Sequence, residues 1–251
     1  MKAEGANGSG ERRVETTRVL VLSGLYPRPD RTTSGRFIHR QIVALRELGV
    51  DARVLCPVAR HAIPFRSGSR FAETLDGSRD TVLDSVPVRY VPYSHVPHRL
   101  STRLEALSII RSLDDEFDEV FAVGPDLVHG HWLFPAGHAA VELASRRGLP
   151  VLVSARGSDV HRYPRENRGI ARFTRTVLTR ADAVVAVSHA LAGEIREFAD
   201  SGAAVSVVYN GVDTERFHPG EDQASARQRV GLPASGTLLC AVGRLMEEKG
   251  I

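Results

Sequence analysis

Lysine is nearly missing from this chain. Of 33 basic residues, only Lys2 and Lys249 are lysines, and arginine supplies the rest. The formal net charge is only +3, so arginine use alone does not imply a nucleic-acid partner, and none is expected. Cysteine is scarce too. Cys56 and Cys240 are the only two, which excludes a disulfide framework. Each sits in or beside an apolar run, so both are expected as buried free thiols in a reducing compartment. No apolar run approaches the length of a membrane span. The polar opening "MKAEGANGSGERRVETT" lacks the apolar region of a secretory signal, and residues 1–16 read as a disordered leader. Its "GANGSG" imitates a dinucleotide fingerprint, but that fingerprint must follow a strand and open a helix, and this one precedes the first strand. No Asp-x-Asp pair, Walker loop, Gly-x-Ser-x-Gly or Cys-x-x-Cys occurs, so the commonest metal, nucleotide, hydrolase and redox signatures are absent, and no metal site is expected.

What is present is alternation. "RVLVLS" reads as a buried strand and "GRFIHRQIVALREL" as a helix with Phe37, Ile38, Ile42, Leu45 and Leu48 at helical spacing. "GVDARVLCP" and "VPVRYVPY" read as strands, with an irregular excursion over residues 58–85 between them. "STRLEALSIIRSLDDEF" reads as a helix capped by Ser101. The strands "DLVHGHW", "PVLVSARG", "DAVVAVS" and "AAVSVVYN" then alternate with three helices. This predicts an α/β fold with a doubly wound, Rossmann-like parallel sheet over residues 17–209. Residues 210–251 read as a linker with Asn-Gly and Pro-Gly turns, a short helix, and the buried strand "TLLCAV" opening a second α/β unit. The chain is expected to stop just inside that truncated unit.

Ligands of open α/β sheets bind beyond the carboxyl ends of the strands, and several candidates lie there. Gly35 stands where a ligand could approach a helix N-terminus, and a plain turn glycine is the competing reading. His129 and His131 are expected on opposite faces of their strand, which makes them poor joint metal ligands, and His131 is assigned to the cleft. In "ARGSDVH", Arg156 can bind an anion, and Asp159 can take a hydroxyl proton, orient a sugar hydroxyl or simply cap the next turn. "GRLMEEKG" brings Gly243, Arg244 and Lys249 together, and two cations beside a glycine turn suit a diphosphate. Between Arg156 and Arg180 lie seven arginines against Asp159 and Glu166. There Arg168, Arg172 and Arg175 form a basic stripe opposite Ile170, Phe173, Val177 and Leu178. A solvated helix face is the first reading of that stripe, and contact with an anionic membrane surface the second.

Taken together, "SGRFIHRQIVALRELG", "PDLVHGHW", "VSARGSDV", "ADAVVAVS", "VYNGVDTERFHP" and "GRLMEEKG" resemble the family-4 retaining glycosyltransferases of the GT-B fold. The last two segments are the most specific. The resemblance implies an N-terminal acceptor-binding domain and a donor-binding domain. It also implies a metal-independent hexosyltransferase-like activity, with a nucleotide-sugar as substrate and no cofactor. The acceptor would be a glycan or lipid-linked sugar in surface polysaccharide biosynthesis, handled in the cytoplasm or at the inner face of the membrane. By resemblance Arg244 and Lys249 grip the donor diphosphate, Gly35 lies by the donor phosphates, and Asp159 lines the acceptor site. Many members carry a histidine where this chain has Arg156. The family's Glu-x7-Glu motif is not in this sequence, so the chain alone is expected to be an inactive fragment. Two alternatives remain: a non-catalytic acceptor-binding half that pairs with a separate donor subunit, and a nucleotide-sugar epimerase of the same architecture.

Overall fold

The computed structural model describes residues 16–60, 79–95, 98–199, 204–220 and 222–243. The chain divides into two units, Met1–Gly211 and Val212–Ile251. In the first, β1 (Arg18–Leu22) leads through α1 (Arg36–Glu47) to β2 (Asp51–Arg60), β3 (Asp80–Leu83) and β4 (Val86–Ser94). α2 (His98–Phe117) then leads to β5 (Leu127–His131), a π-helical turn (Leu133–Gly137), α3 (His138–Arg147) and β6 (Val151–Ala155). The short helices α4 (Ser158–His161) and α5 (Tyr163–Glu166) precede α6 (Arg168–Arg180), β7 (Ala183–Ala186), α7 (His189–Ala199) and β8 (Val205–Val207).

The sheet runs β3-β4-β2-β1-β5-β6-β7-β8. Every pairing is parallel except β3 with β4. β1 is apolar without interruption because both its faces are covered. Val19 and Val21 pack with Ile38 and Ile42 of α1, while Leu20 and Leu22 pack with Ile109 and Leu113 of α2 and Leu143 of α3. Ile38 and Ile42 are wholly buried, and each such side chain contributes about 2 kcal/mol. At the foot of α2, Ser101 leaves the helical region (φ −167°) and its Oγ accepts from Leu104 N at 3.1 Å, the capping that the sequence led us to expect.

This order places the site. The chain moves outward from β1 to β2 and β4, and α2 then carries it back to β5 on the other side of β1. The winding reverses between β1 and β5, so a crevice opens beyond their carboxyl ends.

Three expectations need correction. The excursion over 58–85 is not wholly irregular: β2 continues to Arg60, and Asp80–Leu83 is an edge strand antiparallel to β4. The rest of it, residues 61–78, lies outside the described residues. β3 escaped notice because a four-residue edge strand with an alternately exposed face carries little apolar signal. In the second unit, α8 (Gln223–Arg229) is capped by the Asp222 side chain, which accepts from Ala224 N and Ser225 N. "TLLCAV", however, is not a buried strand. Leu239 and Val242 are 92% and 94% exposed, and among the described residues of that unit there is no strand to pair with it, so apolar propensity alone does not make a ladder. Cys240 is therefore exposed, whereas Cys56 is buried, its thiol pushed up to about 12 by desolvation.

Candidate functional site

The crevice between β1 and β5 is built by three connecting segments. After β1 the chain turns through Ser23 to Ser34 and enters α1 at Gly35, whose φ is +65°. A Cβ there would stand 2.1 Å from the Leu25 carbonyl oxygen. Glycine is thus required by both the left-handed backbone and the close approach of the preceding loop. No side chain caps α1, so the positive end of its dipole faces the crevice region.

After β5, Trp132 adopts φ +75°, an uncommon conformation for a bulky residue. Gly137 N donates to Trp132 O at 2.8 Å, and Leu133 N donates to Asp159 Oδ2 at 2.9 Å. The Trp132 and Tyr163 rings lie 5.9 Å apart and form an aromatic ledge beside the crevice. Asp159 is 2% exposed, and it also accepts from Arg156 N at 3.0 Å and Gly157 N at 2.8 Å. Burial raises its pKa, and the backbone N–H groups oppose that rise. With both oxygens occupied by backbone donors, Asp159 ties the loop after β5 to the loop after β6 and acts as a positioning residue.

His131 and Arg156 meet at the centre. Arg156 Nη2 donates to His131 Nδ1 at 2.6 Å and to Gln41 Oε1 at 2.6 Å, while Nη1 donates to Asn210 Oδ1 at 2.8 Å. Its guanidinium carbon lies 5.4 Å from the Phe37 ring centroid. Because Nδ1 accepts, the His131 proton sits on Nε2, which is buried and has no partner. Burial, with the neighbouring His129 and Arg156, holds the His131 pKa well below its ordinary value. Burial likewise depresses Arg156, to about 10.

The two strand histidines correct another expectation. Residues two apart on a strand share a face, and the rings of His129 and His131 lie 4.1 Å apart, tilted by 33°. His129 Nε2 reaches Ser154 Oγ at 2.9 Å, and desolvation lowers the pKa to about 3. Among the described residues no three His, Cys, Asp or Glu side chains converge as a metal site would need.

The structure thus brings Arg156, His131 and Asp159 together, with Gly35 opening the helix that supports Arg156. Gly243 is described and exposed in the second unit, while Arg244 and Lys249 lie outside the described residues. Sequence reasoning missed Gln41 and Asn210. The only available signal for Gln41 was its position four residues after Phe37 on one side of α1. A second polar chain, running from the interior to the surface, was also missed: Tyr26 Oη to His39 Nδ1 at 2.7 Å, and His39 Nε2 to the exposed Asp84 Oδ2 at 2.9 Å. It borders a separate cavity of 570 Å³ at the outer edge of the sheet. On α6, Ile170, Val177 and Leu178 are buried, while Arg168, Arg172 and Arg175 are exposed. No described helix is long and apolar enough to cross a membrane.

Known proteins resemble this chain in sequence and in fold. A Bacillus subtilis protein named as a teichuronic acid biosynthesis glycosyltransferase, TuaC, is 30% identical over 93% of this chain and 60% of its own length. The D-inositol 3-phosphate glycosyltransferase of Nocardiopsis dassonvillei is 35% identical over 49% of this chain and 30% of its own. Sucrose-phosphate synthase of Thermosynechococcus elongatus superposes with a TM-score of 0.59 at 13% identity, over 86% of this chain and 53% of that one. At that identity the likeness is one of fold, and it is the fold of a GT-B enzyme. The chain thus spans 60% of the length of TuaC and less of the others. The model of Glycosyltransferase Family 4 matches residues 34–216, a stretch that begins beside Gly35 and takes in Gln41, His131, Arg156, Asp159 and Asn210, and to that family this chain belongs.

Proposed function

We propose that this chain forms the acceptor-side domain of a glycosyltransferase that moves a sugar from a nucleotide-sugar to a glycan or lipid-linked acceptor in surface polysaccharide synthesis. The observation that carries the proposal is the crevice itself. The β1/β5 reversal gathers a half-buried arginine, a neutral histidine and a helix N-terminus at one place, all three inside the segment matching the family. TuaC, whose name places it in teichuronic acid biosynthesis, supports the choice of acceptor class.

In this reading the reaction is retaining and needs no metal. The bond between the anomeric carbon and the diphosphate breaks as an acceptor hydroxyl bonds to that carbon, and the hydroxyl proton passes to the leaving diphosphate oxygen. The uncapped start of α1 at Gly35 lends its dipole to the charge growing on the leaving diphosphate. Arg156 and His131 orient the sugar, and the Asp159 tie keeps the two loops fixed so that little reorganisation accompanies the reaction. The work is done in the cytoplasm, where nucleotide-sugars are made, with the basic stripe of α6 resting on the inner face of the membrane. The test is an assay of the protein at its full native length with nucleotide-sugars and polysaccharide-fragment acceptors. Release of nucleoside diphosphate that depends on acceptor, with a glycosylated product, supports the proposal. Sugar nucleotide left intact across donors and acceptors refutes it.

A further inference from the structure

Among the described residues the Arg156 guanidinium makes no hydrogen bond to a carboxylate. Elsewhere in the first unit, buried or half-buried guanidinium groups sit on carboxylates: Arg28 on Asp30, Arg53 on Asp51, Arg89 on Asp80 and Glu116, and Arg147 on Asp114 and Asp118. Arg156 instead donates only to the neutral acceptors of Gln41, Asn210 and His131, and lies against the Phe37 ring. Among the described residues it forms no ion pair. The nearby carboxylate of Asp159 attracts Arg156 through space, but its hydrogen bonds go to the backbone N–H groups of Leu133, Arg156 and Gly157 rather than to the guanidinium. Phe37 and Gln41 belong to the first two turns of α1, so the guanidinium also stands by the positive end of that helix, where a cation is disfavoured. A half-buried charge in such surroundings carries a desolvation cost that an anion from outside the chain would offset. Arg156 Nε is buried without a partner, and so is His131 Nε2 beside it.

We propose that Arg156 receives the carboxylate of an acidic sugar, so that this crevice selects a uronic-acid-type sugar over its neutral counterpart. The inference rests on the glycosyl-transfer reading of the same crevice. A single charge surrounded by two amide side chains and an imidazole suits one carboxylate on a ring of hydroxyls. The donor diphosphate would instead call for several cations or backbone N–H groups. The acidic sugar can be the one transferred or the one that terminates the acceptor.

The experiment measures binding to the full-length protein in two arms: UDP-glucuronate against UDP-glucose, and methyl glucuronide against methyl glucoside. The expected result is a preference for the acid of about tenfold to a hundredfold in one arm, the size of one charge-assisted hydrogen bond. The arm that shows it identifies the source of the carboxylate. Arg156→Gln should abolish the preference by weakening the acidic sugar about tenfold to a hundredfold more than the neutral one. Gln41→Glu keeps the side-chain shape and places an internal carboxylate at the 2.6 Å contact with Arg156. It should raise the thermal midpoint and also abolish the preference, which shows that the fold is intact. Equal affinities in both arms overturn the inference, as does an Arg156→Gln variant that weakens UDP alone or the neutral and acidic sugars alike. Because binding is read directly, charge preference without transfer would remove only the functional reading, and transfer without preference only this one.

Discussion

Acid should unfold this domain earlier than its surface carboxylates require, because it keeps histidines neutral in its interior. His129 is 4% exposed and His131 1% exposed. In the folded chain burial, and then the charge of Arg156, lower the His129 pKa from an ordinary 6.5 to about 3. Desolvation lowers those of His131 and His138 in the same direction. Between those two values the unfolded chain binds the His129 proton and the folded chain does not, so stability falls as the pH drops through that window. Each such histidine contributes a slope of about 1.4 kcal/mol per pH unit. From pH 6.5 to 4.5 His129 alone accounts for about 2.5 kcal/mol, a large part of a total stability of about 5–15 kcal/mol. Asp118 and Asp126 are held low by hydrogen bonds from Arg147 and Arg18, starting from an ordinary 3.8, so their contribution is lost only below this window. The assay is urea denaturation at half-unit pH steps in the wild type and in His129→Gln. The wild type should lose stability steeply below pH 6.5, and the variant should lose it with a slope smaller by about 1.4 kcal/mol per unit. A flat wild-type profile from pH 6.5 to 4.5, or an unchanged slope in the variant, would refute the reasoning.

Two further outcomes follow from the loops that frame the crevice. Gly35→Ala forces an alanine into φ +65° with its Cβ 2.1 Å from the Leu25 carbonyl oxygen. It should cost about 3 kcal/mol or more, the left-handed penalty plus displacement of the loop backbone, and a loss below about 0.5 kcal/mol by urea denaturation would contradict the account. Asp159→Ala strips the acceptor from Leu133 N, Arg156 N and Gly157 N at once. At about 1 kcal/mol for each buried donor left unpaired, the loss should be about 3 kcal/mol, with the Leu133 amide newly open to hydrogen exchange. Continued protection of that amide would show that Asp159 does not tie the loops.

Most of the scaffold was legible in the sequence because the interior strands are uninterrupted apolar runs and the helices keep a helical apolar period. Val19 to Leu22 and Val151 to Ala155 announce themselves in this way. The carboxyl-end rule then singled out His131, Arg156 and Asp159 without any structure. What escaped has specific causes. β3 is an edge strand, half exposed, beside residues that carry turn composition. "TLLCAV" has strand propensity but no partner among the described residues of its unit. The two strand histidines were assigned to opposite faces although a spacing of two puts them on one. The role of Asp159 changed because backbone N–H groups, invisible in a sequence, claim its oxygens. Gln41 and Asn210 could not have been found locally: they reach Arg156 from 115 and 54 residues away, a proximity created only when α1 and the end of β8 settle on the sheet.

The central claim is that substrate is held at the β1/β5 reversal. The most direct measurement is hydrogen exchange on the full-length protein, with and without nucleotide-sugar and acceptor. The account expects new protection at residues 35–41, 131–133 and 156–159 together. Protection confined to the cavity beside Tyr26, His39 and Asp84, with those three segments unchanged, would contradict it.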